Sequence, residues 1–455
     1  MASRWTSAAA MVAVLAAYVW FGSGGTWSFR RVQWQRAEGM GFTERYYAGL
    51  AEGFLRGQLA LPYDVDPRWQ QVTNAYDFDA RGRQGLSWEM WDASLYRGKF
   101  YLYFSPVPVL LFYLPFRLLA GAYPADALAA TFFAWWAFLV CVAFARRALR
   151  ETRVPFAVWV LLIGLGNVVP LMLKSVRAYE VAVAAGMALT ASFAYALLRW
   201  TETNAPKYAA WMGVWLGLAI ATRPNLILLL AVALYVVWKR WRAAVLALIP
   251  LAAIAIALAA YNYARFDNPL ELGMTYQISY APMWRVPPCS LCSAPEAIRF
   301  VNNVVHYVFW APSFVGEFPY VQLQPHTLDP SVSFAGGAET VGGVAALNPL
   351  TLLGAAIALV LALRRGGAPN AASRVMAGAW IVLFGLATCR WVTARYALDF
   401  MMLMTAATAV CVEQGLALLV DVRMRVLAVF VTVIAAYSIV VGVLLGLRGA
   451  GVLAG

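Results

Sequence analysis

Apolar runs of about span length, one after another, constrain this chain more than any motif in it. They lie near 8–27, 125–145, 155–173, 181–198, 208–222, 224–238, 243–262, 346–363, 375–391, 397–419 and 426–447. A helix needs about 20 apolar residues to cross a bilayer. Only helices and closed barrels satisfy every backbone group in lipid. The runs therefore predict an all-α polytopic membrane protein with about 11 transmembrane helices. Composition agrees: 62% of the residues are hydrophobic and 13% charged, whereas a soluble domain is about half apolar. No internal repeat and no low-complexity tract divides the chain, so residues 1–455 read as a single membrane domain. The first run follows Arg4, shows no small-residue cleavage site, and is followed by Arg30, Arg31 and Arg36, so it reads as an uncleaved signal anchor.

One further apolar stretch, 104–120, carries Pro106, Pro108, Pro115 and Arg117. Charge decides its course. If it does not cross and the N-terminus is inside, the cytoplasmic loops are 146–153, 199–207, 238–242, 363–374 and 421–425. With Arg4 these hold 15 Lys and Arg against three acids, Glu151, Glu202 and Asp421. A crossing at 104–120 would turn every later basic loop outward, against the positive-inside rule. The stretch is therefore predicted to lie at the outer interface, where its prolines suit a broken helix. The outer face then carries a first loop over 28–124, a short one around 174–180, a turn at 221–225, a second large loop over 263–345, and the span end at 389–400. The net charge of +13 belongs to the cytoplasmic loops; it predicts a bilayer as partner and no nucleic acid.

Nine of the 22 acids lie between Glu38 and Asp92: Glu38, Glu44, Glu52, Asp64, Asp66, Asp77, Asp79, Glu89 and Asp92. Ionisable groups are costly in lipid, so an outer loop that gathers them is a candidate active site. Thr43-Glu44-Arg45-Tyr46-Tyr47 opens a helical pattern, with Thr43 placed to cap it and Glu44 in its first turn. Glu44 is then either a helix-stabilising acid or a general base. Asp77 and Asp79 form an Asp-x-Asp pair able to hold Mg²⁺ or Mn²⁺, although such pairs are common in solvated loops. From Trp88 to Phe104, Asp92, Tyr96, Arg97 and Lys99 are threaded among aromatic rings. Cations here can clamp a phosphate, and rings can stack on a sugar. Lys174, Arg177, Tyr179 and Glu180 fall in the second outer loop, Arg223 beside Pro224 and Asn225, and Arg390, Arg395, Tyr396 and Asp399 at a late span end. Snorkelling alone can place Arg at an interface; convergence of these cations with acids on one side favours a site. Cys289, Cys292, His306 and His326 share the second large loop, with His spacing wider than a compact zinc finger's, so a disulfide or two thiols is the competing reading. Cys141, Cys389 and Cys411 read as inert core thiols. Mg²⁺ or Mn²⁺ is the one candidate cofactor, and no Walker or dinucleotide fingerprint occurs.

The order of these pieces resembles the GT-C superfamily of membrane glycosyltransferases, in the branch with protein O-mannosyltransferases and lipid A aminoarabinose transferases. That family has an acid early in the first outer loop, an interfacial Pro-rich segment before the second span, and a charged patch in the next outer loop. These match Glu44, Ser105-Pro106-Val107-Pro108 with Pro115, and Arg177 with Glu180. The segments 92–115, GLAIATRPN (217–225), YNYARFDNPLELG (261–273) and ARYALDF (394–400) are similar to uncharacterised bacterial members. The family usually shows Asp at the first-loop position, often followed by Glu; this chain has Thr43-Glu44, so the base is Glu44, Asp92, or one of Asp77 and Asp79. The resemblance implies a GT-C-like fold, a polyprenyl-phosphate-linked sugar as donor, and an inverting transfer to a glycan, lipid or protein acceptor. It also implies a bacterial inner membrane with the site on the periplasmic or extracellular side. Its donor phosphate would meet cations from Lys99, Arg177, Arg223 and Arg395, with Tyr96 and Glu180 nearby. A lipid-linked-glycan flippase is the leading rival, but few ionisable residues fall mid-span, Glu413 being the main exception, and transporters place ionisable groups mid-span in repeated halves. A surface-glycan polymerase or ligase uses the same donors, and product length separates it.

Overall fold

The computed structural model describes residues 2–35, 43–238, 240–280, 294–325, 339–364, 370–389 and 392–448. In chain order its helices are α1 (Ala2–Gly22), α2 (Tyr46–Leu55), α3 (Phe78–Gly82), α4 (Leu114–Ala120), α5 (Asp126–Ala148), α6 (Phe156–Leu165), α7 (Val169–Lys174), α8 (Ala178–Thr203) and α9 (Pro206–Thr222). They continue with α10 (Leu230–Val237), α11 (Trp241–Phe266), α12 (Ala294–Phe309), α13 (Val344–Leu347), α14 (Leu350–Arg364), α15 (Ala371–Ala387), α16 (Met401–Leu416) and α17 (Asp421–Arg448). Five of these, α1, α5, α8, α11 and α17, are long and apolar enough to cross a bilayer, and shorter apolar helices accompany them. The chain is built as a multi-pass membrane protein.

Helices and apolar runs coincide, but not one for one. The run 155–173 breaks at Gly166-Asn167, where the Asn167 side chain donates to the Ile163 carbonyl (2.7 Å) and accepts from the Val169 amide (2.8 Å). The run 224–238 opens as a 3₁₀ turn, Pro224–Leu229, before α10, and 397–419 opens inside another, Ala394–Asp399, before α16. The stretch 104–120 forms a π-helical turn, Val109–Tyr113, that passes into α4; no residue of α4 is buried, and Leu118 and Leu119 are fully presented outward. Helix α8 is almost wholly enclosed, between α5 and α9, and α11 covers α9 while most of its own surface stays open. Close approach there depends on Gly213, because a Cβ added to it would lie 1.9 Å from the Ala247 carbonyl oxygen.

Glu413, the acid inside the run 397–419, is buried near the end of α16. It accepts hydrogen bonds from the Arg153 amide (2.7 Å), the Val154 amide (3.0 Å) and Trp159 Nε1 (2.7 Å). It thus serves the otherwise unpaired amides just before α6, a structural task rather than a transport site.

Short strands build the cap outside the bundle. β1 (Arg31–Val32) pairs with β4 (Tyr123–Pro124), and β2 (Ala93–Tyr96) pairs with β3 (Lys99–Leu102). The β2–β3 turn has Arg97 at φ 48 and Gly98 at φ 72, the twist that a two-residue hairpin requires. β5 (Ser313–Phe314) pairs with β6 (Val321–Gln322), and β7 (Gln324–Pro325) with β8 (Thr340–Val341). The first and second large loops are fastened together. Asp92 and Ala93 exchange backbone hydrogen bonds with Ile278 at 2.8 Å. Arg81, fully buried, donates to the carbonyls of Ala75 (2.9 Å) and Ser279 (2.6 Å), and burial pulls its pKa down to about 10. Arg265, at the end of α11, donates to the Leu102 carbonyl (2.7 Å) and stacks on Tyr261.

Replacing Glu413 by Ala strands three donors, two of them buried. Thermal unfolding in detergent is expected to show a loss of roughly 3 kcal/mol or more.

Candidate functional site

Pro224 cannot continue α9, so Arg223 is left in an extended conformation (φ −139) between α9 and the following 3₁₀ turn. Its guanidinium meets the fully buried Asp399 through two bonds, Nε to Oδ1 at 3.2 Å and Nη2 to Oδ2 at 2.6 Å, and Asn225 Nδ2 donates to the same carboxylate at 2.9 Å. The guanidinium also lies over the Tyr396 ring, 5.1 Å from its centroid. The segments 221–225 and 394–400 are therefore one structural unit.

Arg395 lies on the Tyr179 ring (4.7 Å), reaches Glu180 at 3.4 Å and contacts Glu339 directly. Glu339 also accepts from Thr393 Oγ1 at 2.8 Å. Burial pulls the Arg395 pKa down, but the carboxylates of Glu339 and Glu180 outweigh it and hold the guanidinium above its ordinary value. Glu180 stands in the first turn of α8, where its Oε2 accepts from the Arg177 amide at 2.9 Å, a position the helix dipole favours. Arg177 is half-buried at the same junction.

Asp92 enters from the cap. It is buried at φ 60, and its Oδ1 accepts from Gln277 Nε2 at 2.5 Å. Burial pushes its pKa up to about 7, against the Gln277 bond, the Arg395 charge and a Trp91 hydrogen bond, which act the other way. Tyr103, just after β3, lies among Asp92, Tyr396, Arg223 and Arg395; burial holds its hydroxyl well above the usual tyrosine range.

Glu44 is half-buried and precedes α2. The expected cap does not form. Thr43 (φ 59) and Arg45 (φ 64) both take left-handed backbone, α2 begins at Tyr46, and the buried Thr43 hydroxyl has no partner among the described residues. These turns carry Glu44 out of the helix. Its charge is felt at Asp126, the first residue of α5, to which the Tyr113 hydroxyl donates directly. Tyr113 stacks on Tyr47 at 5.4 Å; Tyr47 is fully buried and its hydroxyl has no partner among the described residues. Asp126 belongs to no pattern in the sequence. The one available signal was an acid in the first turn of an apolar run that directly follows the acidic loop.

Other sequence candidates lie elsewhere. Tyr96 donates to Asp267 (2.8 Å), Arg97 pairs with the same carboxylate (2.8 Å), and Lys99 is exposed beside them at the β2–β3 tip. Three residues of strand place that tip about 10 Å along the ladder from the Ala93–Leu102 end. Asp77 caps α3 by accepting from the Ala80 amide at 2.9 Å, and Asp79 is exposed in its first turn. Among the described residues no three Asp, Glu, His or Cys side chains group as metal ligands. His306 is buried, with Nδ1 2.7 Å from the Asn302 carbonyl. Cys289, Cys292, His326 and Arg390 lie outside the described residues.

Asp399→Ala leaves the largely enclosed Arg223 unpaired and is expected to destabilise the protein by about 3–5 kcal/mol, whereas the double replacement Arg223→Met, Asp399→Leu recovers much of the loss in thermal unfolding. Asp92 holds its proton more tightly folded (pKa about 7) than at the ordinary 3.8. Its stabilising share is therefore full below about pH 4 and is lost as pH rises through 7. The wild type is expected to lose stability across that window relative to Asp92→Asn.

No family model matches the chain, and no curated protein matches it. Among solved structures, the chain is similar to the archaeal oligosaccharyltransferase AglB from Archaeoglobus fulgidus, solved in complex with an inhibitory peptide and a dolichol-phosphate, at TM-score 0.51 and 14% identity. The match covers 98% of this chain and 56% of that one, so the chain spans little more than half its neighbour's length. The chain thus shares its fold with that oligosaccharyltransferase over nearly its whole length.

Proposed function

We propose that the chain is a membrane glycosyltransferase of the GT-C type. It takes a sugar from a polyprenyl-phosphate-linked donor on the extracytoplasmic face of a bacterial inner membrane and passes it to a glycan, lipid or protein acceptor. The observation that carries this reading is the gathering of Arg223 and Arg395 with Glu44, Asp92, Asp126 and Glu180 around the junctions that precede α2, α5 and α8 and follow α9. The fold likeness supports the class, and the neighbour's dolichol-phosphate is a lipid of the donor's kind.

In this scheme the donor lies along the outer leaflet with its phosphate on Arg395 and Arg177. Arg223, fixed by Asp399, acts as a positioning residue through Tyr396. Glu44 takes the acceptor's proton as the acceptor oxygen or nitrogen attacks the anomeric carbon. The bond from that carbon to the phosphate oxygen breaks on the opposite face, its electron pair stays with the phosphate, and the configuration inverts. The leaving phosphate is already anionic, so stabilising its growing charge is the main demand, and no strong general acid is needed. Asp92, with a pKa of about 7 and close to Arg395, is the second carboxylate suited to base work near neutral pH.

The test pairs transfer with binding, using polyprenyl-phosphate mannose as probe. Glu44→Gln is expected to lower transfer by about 10²–10⁴-fold while native mass spectra still show bound donor. Full transfer by that variant, with loss in Asp92→Asn, would move the base to Asp92. Arg395→Gln is expected to lose the bound donor. Wild-type protein that binds no polyprenyl-phosphate sugar would overturn the proposal.

A further inference from the structure

Far from the site just described, α10, α14 and α15 leave an apolar cleft of about 430 Å³, walled by Val232, Ala355, Leu359, Ala377 and Ile381. That volume lies in the range of small-molecule pockets. One end is polar. Ser373 and Arg374, in the first turn of α15, close it together with Tyr235, whose ring lies under the Arg374 guanidinium at 5.8 Å. Asn370 caps α15 by accepting from the Ser373 amide at 2.9 Å.

Two donors in this wall have no acceptor among the described residues: Arg374 Nε and Trp380 Nε1, both buried. Nor does any described carboxylate form a salt bridge with Arg374. The nearest acid in the neighbouring helix, Glu413, is already engaged by the Arg153 and Val154 amides and Trp159. The segment 363–374 carries Arg364, Arg365 and Arg374 and no acid. Burying an unpaired guanidinium nitrogen is costly, so the end of the cleft is short of an anion, while the rest of it suits a hydrocarbon chain.

We infer that this cleft binds one anionic phospholipid of the inner leaflet, its phosphate on Arg374 and one acyl chain between α10, α14 and α15. Charge complementarity selects the occupant: a cleft end that carries Arg374, with no described carboxylate paired to it, favours an anionic headgroup at the membrane surface. The length of α15 between Arg374 and Trp380, six residues or about 9 Å, lets the rim hold the headgroup while the chain lies against the apolar wall.

The full chain, purified in detergent and stripped of lipid, is titrated with phosphatidylglycerol, phosphatidylcholine and undecaprenyl phosphate, each followed by native mass spectrometry. One phosphatidylglycerol is expected to bind ahead of phosphatidylcholine. Arg374→Gln is expected to weaken it about fivefold. Ala377→Phe, which fills the cleft from an exposed position, is expected to weaken both lipids, while Arg425→Gln on another inner loop leaves binding unchanged. Melting curves matching wild type establish that the variants are folded. Equal binding of phosphatidylcholine, unchanged binding in both cleft variants, or a preference for undecaprenyl phosphate that Ala377→Phe abolishes would overturn the inference. Each of these outcomes is read without any transfer assay, so it stands or falls apart from the proposed enzyme.

Discussion

The ion pair between Arg223 and Asp399 is the contact on which the cap-bearing half of the molecule depends. Both groups are shielded from solvent and joined by two hydrogen bonds, with Asn225 occupying the remaining acceptor position. A buried pair of this kind contributes little net stability over an apolar replacement, but breaking one side is severe. Its value here is geometric. It ties the end of α9 to the start of α16 and holds the Tyr396 ring beneath Arg223. Arg395, one residue before that ring, is thereby aimed at Glu180 and Glu339. Proline at 224 is what makes the pair reachable, because it ends α9 at the residue that must turn outward.

A second set of contacts brings the cap to that frame. The segment 261–273 is a fastener rather than a reaction centre: Arg265 holds β3, Asp267 holds Tyr96 and Arg97, and Gly273, at φ 99, accepts Ser94 Oγ through its carbonyl at 2.8 Å. A Cβ at Gly273 would meet Ser94 Oγ at 2.6 Å. The first large loop and the described start of the second are fastened here, and Asp92, held by Gln277, lies near Tyr103 and Arg395. Asp92 is thus set by partners more than 170 residues away in the chain, and its raised pKa follows from that burial.

Much of this was legible because lipid imposes simple rules. Span-length apolar runs became helices, and the patterns around Arg223, Arg395 and Asp399 marked residues that do meet. Other features depended on backbone turns that hydrophobic patterning does not register. The stretch 92–103 reads as alternating aromatics and charges, and it folds as a hairpin because Arg97-Gly98 accepts positive φ. Thr43 looks like a helix cap and fails as one because two left-handed residues intervene before Tyr46. Lys99 reads as a phosphate clamp by composition, and strand geometry places it at the hairpin tip. Asp126 was hidden by its place at the head of an apolar run, and only the fold brings Tyr113 and Glu44 to it.

The most direct measurement is photo-cross-linking with a diazirine-bearing polyprenyl phosphate, followed by peptide mapping. If the gathered arginines hold a donor phosphate, the label is expected on peptides carrying Arg177–Glu180 and Ala394–Asp399, and it is expected to fall when unlabelled polyprenyl-phosphate sugar competes. Label that ignores competition, or that falls only on peptides of the inner half of the bundle, would contradict a donor site at the outer face.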